Sequence, residues 1–293
     1  MLHSRLFLSV FLYLCCVSSA FLGGRLVPLD LEAAPCVAPR RRAGRSILGI
    51  KASGKASTQI AVCVYGPDCC KKTSDQLGGA DVSLESVRSL AEGINGVTVR
   101  AAGCLGQCKD GPSISVKLPG TPKREVLKKF SDVKELEKVL ASAKFRVDSG
   151  VVKALQLKTR GNKAAVKGGS KEALKLYDEA ITLLEKKKGT SRAKAGILSN
   201  RAGVKMALGD FDGAEQDINE AFKSDADLRQ NFQRAGDFAR LQQDEAQASS
   251  MYRDAGKADP QRKDMVEKGA KSVGAKTMFG FGGPAPYKLY DPA

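Results

Sequence analysis

The chain has 293 residues, 42% of them hydrophobic and 27% charged, and a formal net charge of +16. That length has room for two modest domains. It has no run of about 18 or more consecutive apolar residues, which excludes a polytopic membrane protein and argues against stable membrane insertion. His3 is the single histidine and lies in a leader-like segment, so Ser-His and Cys-His nucleophiles, zinc-histidine enzymes and Rieske-type clusters are excluded; with no acid-base set evident elsewhere, the sequence does not read as an enzyme.

Residues 1 to 20 combine a basic start (Arg5), an apolar core from Leu6 to Val17 and the small residues Ser18, Ser19 and Ala20, the tripartite pattern of a secretory signal peptide. Residues 21 to 57 open on Phe21, carry Arg40, Arg41, Arg42 and Arg45, and hold only Asp30 and Glu32 as acids. Such a basic, acid-poor stretch resembles a transit peptide. Together the two segments resemble the bipartite presequence of plastid proteins in algae with secondary plastids, which implies the plastid stroma as destination; plain secretion is the alternative. After residue 57 the basic side chains are interspersed with acids rather than gathered into a patch, so nucleic acid is not an expected partner.

Residues 58 to 143 read as an α/β module. Ile60-Ala61-Val62-Cys63-Val64 is a strand that ends before Gly66-Pro67. Val82 to Gly93 has near-helical apolar spacing, Val97-Thr98-Val99 and Ser113-Ile114-Ser115-Val116 are further strands, and Val126-Leu127 lies in a fourth after the Pro119-Gly120 turn. Ser131 is placed to cap a last helix whose apolar face is Val133, Leu136, Val139 and Leu140. About 85 residues in this order can bury a small core of their own.

The cysteines stand at the ends of these elements: Cys63, then Cys69 with Cys70 beside it, then Cys104 and Cys108 in Gly103-Cys104-Leu105-Gly106-Gln107-Cys108-Lys109-Asp110-Gly111-Pro112. At these residues the chain resembles the thioredoxin-like 2Fe-2S ferredoxins, among whose relatives is a small iron-sulfur subunit of respiratory complex I. The resemblance implies a thioredoxin-like fold and a 2Fe-2S cluster held by Cys63, Cys69, Cys104 and Cys108, with the glycines letting backbone N–H groups approach the sulfurs. The first pair is spaced one residue wider than in the closest relatives; the register of Ser74 and Leu77 favours Cys69 as second ligand, with Cys70 as the alternative. Structural zinc, a thioredoxin-type dithiol and a metal-free module are the competing readings; the first is disfavoured by the cysteine spacing, the second by the absence of a Cys-Xaa-Xaa-Cys motif.

Residues 150 to 262 repeat. Gly161, Ala173, Tyr177 and Ala180 match Ala202, Ala214, Ile218 and Ala221, and these match Gly236, Ala248, Tyr252 and Ala255, with identical offsets inside each set. The second and third sets are 34 residues apart, and the wider gap between the first and second is taken up by the charged stretch from Lys186 to Arg192. The period, the small residues and the closing Pro260 resemble three tetratricopeptide (TPR) repeats. That resemblance implies an all-α domain with a groove for a protein partner. Lys158, Asn162, Asn200 and Arg234 match four of the five positions that clamp an acidic C-terminal peptide in chaperone-binding members; Gln230 occupies the fifth, where lysine is usual. The same residues also occur in such repeats as solvated or packing positions. Residues 263 to 293 are expected to add a short capping helix to Val273 and a Gly/Pro-rich tail.

The expectation is therefore a ferredoxin-like module for one-electron transfer or redox sensing, with a redox partner protein, joined to a helical adaptor that selects a protein partner. The alternative is an adaptor, assembly factor or co-chaperone in which the repeats carry the function and the cluster is structural or regulatory.

Overall fold

The computed structural model describes residues 57–64, 81–185 and 187–262. The leader, the first-loop cysteines Cys69 and Cys70, and the expected capping helix and tail lie outside the described residues. The sheet module runs β1 (Thr58–Cys63), α1 (Val82–Leu90), β2 (Val97–Ala102), a 3-10 turn (Cys108–Asp110), β3 (Ser113–Lys117), β4 (Glu125–Lys128) and α2 (Val133–Ser142). β1 pairs parallel with β2, β3 runs antiparallel to β1 and β4 antiparallel to β3, giving the order β2-β1-β3-β4. The near-continuous apolar run of β1 follows from its central place, where only Gln59 among its six residues is exposed. The outer strand β4 is mostly solvated.

α1 stops where Gly93 and Gly96 take positive φ of 76° and 81°, a backbone region that costs glycine little, and the chain turns into β2. α2 is capped by Asp132, whose side chain accepts from Lys134 N at 3.0 Å. Ser131, expected as the cap, sits one residue earlier and instead donates its N–H and hydroxyl to Glu135. The predicted face of α2, Val133, Leu136, Val139 and Leu140, is wholly buried; each such side chain is worth about 1.5–3 kcal/mol on burial.

The helical region consists of three pairs: α3 (Ser149–Val166) with α4 (Ser170–Leu184), α5 (Ser191–Ala207) with α6 (Phe211–Ser224), and α7 (Arg229–Leu241) with α8 (Glu245–Ala258), closed by a 3-10 turn at Pro260–Arg262. All twelve repeat positions predicted from small-residue spacing lie inside these helices, and the packing explains their sizes. A Cβ added at Gly161 would lie 2.5 Å from the Tyr177 ring, and one at Gly236 would lie 3.0 Å from the Tyr252 ring. Where the second pair carries Ala202, its partner is the smaller Ile218, so small and large trade off within each pair. Asp210 and Asp244 cap α6 and α8 by accepting from Gly213 N and Gln247 N. The extra length between the first and second repeats is shared between the connection from α4 to α5 and an additional N-terminal turn of α5, which carries Arg192.

The two modules do not keep separate cores. One contiguous apolar cluster runs from Ile60, Val62, Leu84 and Leu136 through Val151, Val152 and Leu155 to Leu198 and Leu228. Gln156 on α3 donates to both carboxylate oxygens of Asp132 at 3.0 and 2.9 Å. At the far end the backbone N–H of Ala101, on edge strand β2, donates to Gln261 Oε1 at 2.8 Å.

Candidate functional site

The first helices of the three pairs, α3, α5 and α7, pack side by side and form one face. Lys158 and Asn162 stand one turn apart on α3, Ser199 and Asn200 follow on α5, and Gln230 and Arg234 stand one turn apart on α7, so helical periodicity aims them together. Asn200 Nδ2 donates to Asn162 Oδ1 at 2.8 Å, and the Tyr177 hydroxyl donates to the same oxygen at 2.9 Å. Arg234 donates from Nε to Ser199 O at 2.8 Å and pairs through Nη1 with Asp237 at 3.0 Å. Lys158, Asn162, Asn200 and Arg234 are each 7% exposed or less. These four residues are thus buried rather than lining an open groove, Asn162, Asn200 and Arg234 against partners within the helical array, and α1 of the sheet module packs against α3 and α5 beside them.

The contact is electrostatic as well as apolar. Asp81, at the N-terminus of α1, pairs with Arg229 at 2.8 Å, both residues buried. Glu85 Oε2 pairs with Arg192 Nη2 at 3.0 Å while its Oε1 pairs with Arg88 at 2.9 Å, and Arg88 also reaches Asp259 at 2.6 Å. Glu92 accepts the backbone N–H of Arg192 at 3.0 Å. Burial pushes the Glu85 carboxyl up, but Arg192, Arg88, Arg229 and Lys158 outweigh it and hold the pKa down to about 2. Burial has the opposite consequence for Lys158, pulling its pKa down to about 8, with Glu85 resisting and Arg192 assisting. Gly196 of α5 makes room here: a Cβ would meet Lys158 Nζ at 2.8 Å and Gln230 Oε1 at 3.1 Å. Arg229 Nε and Gln230 Oε1 are buried and find no hydrogen-bond partner among the described residues.

Sequence reasoning placed Lys158, Asn162, Asn200 and Arg234 on one face, and missed Asp81, Glu85, Arg192 and Arg229. Arg192 read as part of a charged insertion, and Arg229 was not singled out. The only available signal was that Asp81 and Glu85 are spaced one helical turn apart, and nothing in that spacing names a partner more than a hundred residues away.

Of the four cysteines expected as ligands, two are placed with their side chains. Cys63 ends β1, buried, and Cys104 follows β2, exposed. Because β1 and β2 are parallel and Cys63 is in register with Ala102, both thiols stand at the same end of the sheet. Gly106, at φ 73°, directs its N–H to Cys104 Sγ at 3.4 Å. Cys108 opens the 3-10 turn, and among the described residues no group of three or more His, Cys, Asp or Glu gathers around a common point. Nor is any helix among them long and apolar enough to cross a membrane.

No family model matches the chain. A mitochondrial import receptor subunit, TOM34 from Rattus norvegicus, is 32% identical over 153 residues, which is 48% of this chain and 46% of that protein. The chain therefore spans about half the length of this curated relative. Among solved structures, the Arabidopsis OM64 TPR domain is 26% identical and covers 43% of this chain and 97% of its own, with a TM-score of 0.35. With its three helix pairs and their repeated small-to-large packing, the region from Ser149 to Ala258 is TPR-like.

Proposed function

We propose that this chain is a non-enzymatic adaptor whose α3, α5 and α7 face recognises an acidic segment of a protein partner. The supporting observation is chemical. Lys158, Arg192 and Arg229 act together on Glu85, Asn162 beside Lys158 is oriented by Tyr177 and Asn200, and carboxylates are what these cations hold in the structure. A receptor role for the similar import-receptor subunit is in keeping with this reading. In the test, the full chain is titrated by calorimetry with a peptide ending in two acidic residues and a free carboxylate, and with its C-terminally amidated form. Amidation removes a charge-assisted contact of roughly 1.5–3 kcal/mol, a loss of about 10- to 150-fold. Lys158→Met is expected to weaken the free-acid peptide and to narrow that gap. Equal affinity for the two peptides would refute the assignment.

The sheet module supports a second reading of its own. The strand order β2-β1-β3-β4, with β1 and β2 parallel and the other pairings antiparallel, is compatible with a thioredoxin-like fold. Cys63 and Cys104 at one end of the sheet, with an N–H on the Cys104 sulfur, fit two ligands of a shared 2Fe-2S cluster. In this reading Cys63, Cys69, Cys104 and Cys108 hold the cluster and Cys70 is the alternative ligand. Its role is structural or regulatory, since it would stand in the module that covers the binding face. The plastid stroma is the location that the leader supports; residues 1 to 55 fused to a fluorescent protein are expected to reach it in a secondary-plastid alga, and secretion of the fusion would overturn the assignment.

A further inference from the structure

We propose that α1 is an internal occupant of the binding face: Asp81 and Glu85 hold the cations that an acidic partner needs, so partner binding competes with docking of the sheet module. The inference rests on the adaptor reading above and adds its regulation.

Three observations carry it. First, the acids of α1 pair with the second and third helix pairs, and α1 packs against the first. Glu85 reaches Arg192 at the start of α5, Asp81 reaches Arg229 at the start of α7, and Glu85 is close enough to Lys158 of α3 to shift its proton affinity. A partner carboxylate on this face meets the same cations. Second, the docking is stitched at its rim by contacts that have no part in recognition. Arg88 pairs with Asp259 just beyond α8, Ala101 N–H donates to Gln261, and Glu92 accepts from the backbone of Arg192. Third, α1 satisfies the face imperfectly. Arg229 Nε and Gln230 Oε1 are buried without hydrogen-bond partners among the described residues, and an unmade hydrogen bond of a buried group is a standing cost. An extended peptide carries both a carboxylate for Arg229 and backbone N–H groups for Gln230, which gives it an advantage that α1 lacks.

The competition has a thermodynamic signature. If the face is free only in a minor open state, the apparent affinity of a peptide is reduced by the fraction that is open. Weakening the α1 contact without touching the cations must therefore tighten peptide binding to the full chain. The test uses the free-acid peptide with wild type, with Asp81→Asn/Glu85→Gln, and with Asp259→Asn/Gln261→Ala, which removes contacts at the rim and leaves the Glu85 pairs in place. Far-ultraviolet circular dichroism checks that each variant keeps its helices. Both variants are expected to bind about tenfold or more tighter than wild type. In wild type, saturating peptide is expected to speed hydrogen exchange at the Ala101 and Arg192 amides, which donate across the contact. That second reading separates displacement from a simple gain in positive potential on the face. Binding of equal strength in all three proteins, or tighter binding with unchanged exchange at both amides, would overturn the inference and leave the adaptor reading standing. No binding to any of the three would overturn both.

Discussion

Glu85→Gln is the sharpest probe of the contact between the two modules, because it keeps the shape of a buried side chain and removes only its charge. In the folded chain the carboxyl sits near pKa 2, against about 4.3 for an unperturbed glutamate. At about 1.4 kcal/mol per tenfold change in proton affinity, the ionised form contributes about 3 kcal/mol at neutral pH. That agrees with the cost of about 3–5 kcal/mol for removing one partner of a buried pair. The sign follows from linkage. The folded pKa is depressed, so the contribution is complete above the unfolded value, falls as the pH drops below about 4.3, and shrinks to about 1.5 kcal/mol at pH 3. Urea unfolding of wild type and variant at pH 7 and pH 3, followed by circular dichroism, reads both numbers. A difference below about 1 kcal/mol at pH 7, or one that is the same at both pH values, would refute the claim that Arg192, Arg88, Arg229 and Lys158 act on this carboxylate.

Lys158 titrates in the opposite sense. Its folded pKa of about 8 lies below that of the unfolded chain, so the unfolded state holds the proton longer and wild type should gain stability relative to Lys158→Met as pH rises from about 8 to about 10.4; a flat difference over that window would refute it. Gly161→Ala places a Cβ 2.5 Å from the Tyr177 ring and should cost about 1–3 kcal/mol of unfolding free energy, and adding Tyr177→Ile, which copies the second pair, should recover part of the loss. For the cysteines, full-length chain reconstituted anaerobically should bind two irons and two sulfides in the proposed 2Fe-2S site. Cys104→Ser and Cys108→Ser should lose the cluster, Cys69→Ser should impair it and Cys70→Ser should be mild; stoichiometric zinc without sulfide in protein isolated without oxygen would defeat the proposal.

What could be read in the sequence was what depends on spacing along one element. The strands announce themselves as β-branched runs between turns, and Val133, Leu136, Val139 and Leu140 recur at helical intervals because they share one buried face. Gly161 with Tyr177 and Gly236 with Tyr252 were legible because a ring in contact with a backbone leaves no room for a Cβ. The shift of the α2 cap from Ser131 to Asp132 is a one-residue error between two good capping residues. The covering of Lys158, Asn162, Asn200 and Arg234 was not legible. Nor was the contact between the modules, which depends on pairs such as Asp81 with Arg229 and Arg88 with Asp259, whose members belong to different modules and follow no shared period. Each looks from sequence like an ordinary solvated charge.

Seven of the nine residues of α1 are buried, four of them Ser83, Glu85, Ser86 and Ser89. A helix with an apolar side of Leu84, Val87 and Leu90 and a serine-rich opposite side has the composition of a surface helix, yet it is enclosed on both. Its small serines are buried where α1 packs beside α3 and α5, and the lone glutamate meets arginine on each of its oxygens. Such a helix answers to two neighbours at once, so variation on its polar side is restrained by the repeats and variation on its apolar side by the sheet. Cutting the chain between residues 143 and 148 to obtain the two halves separately would leave the sheet half with Asp81 and Glu85 parted from Arg229 and Arg192, and the helical half exposing those cations. Residues 58 to 262 are better handled as a single cooperative body than as two modules on a string.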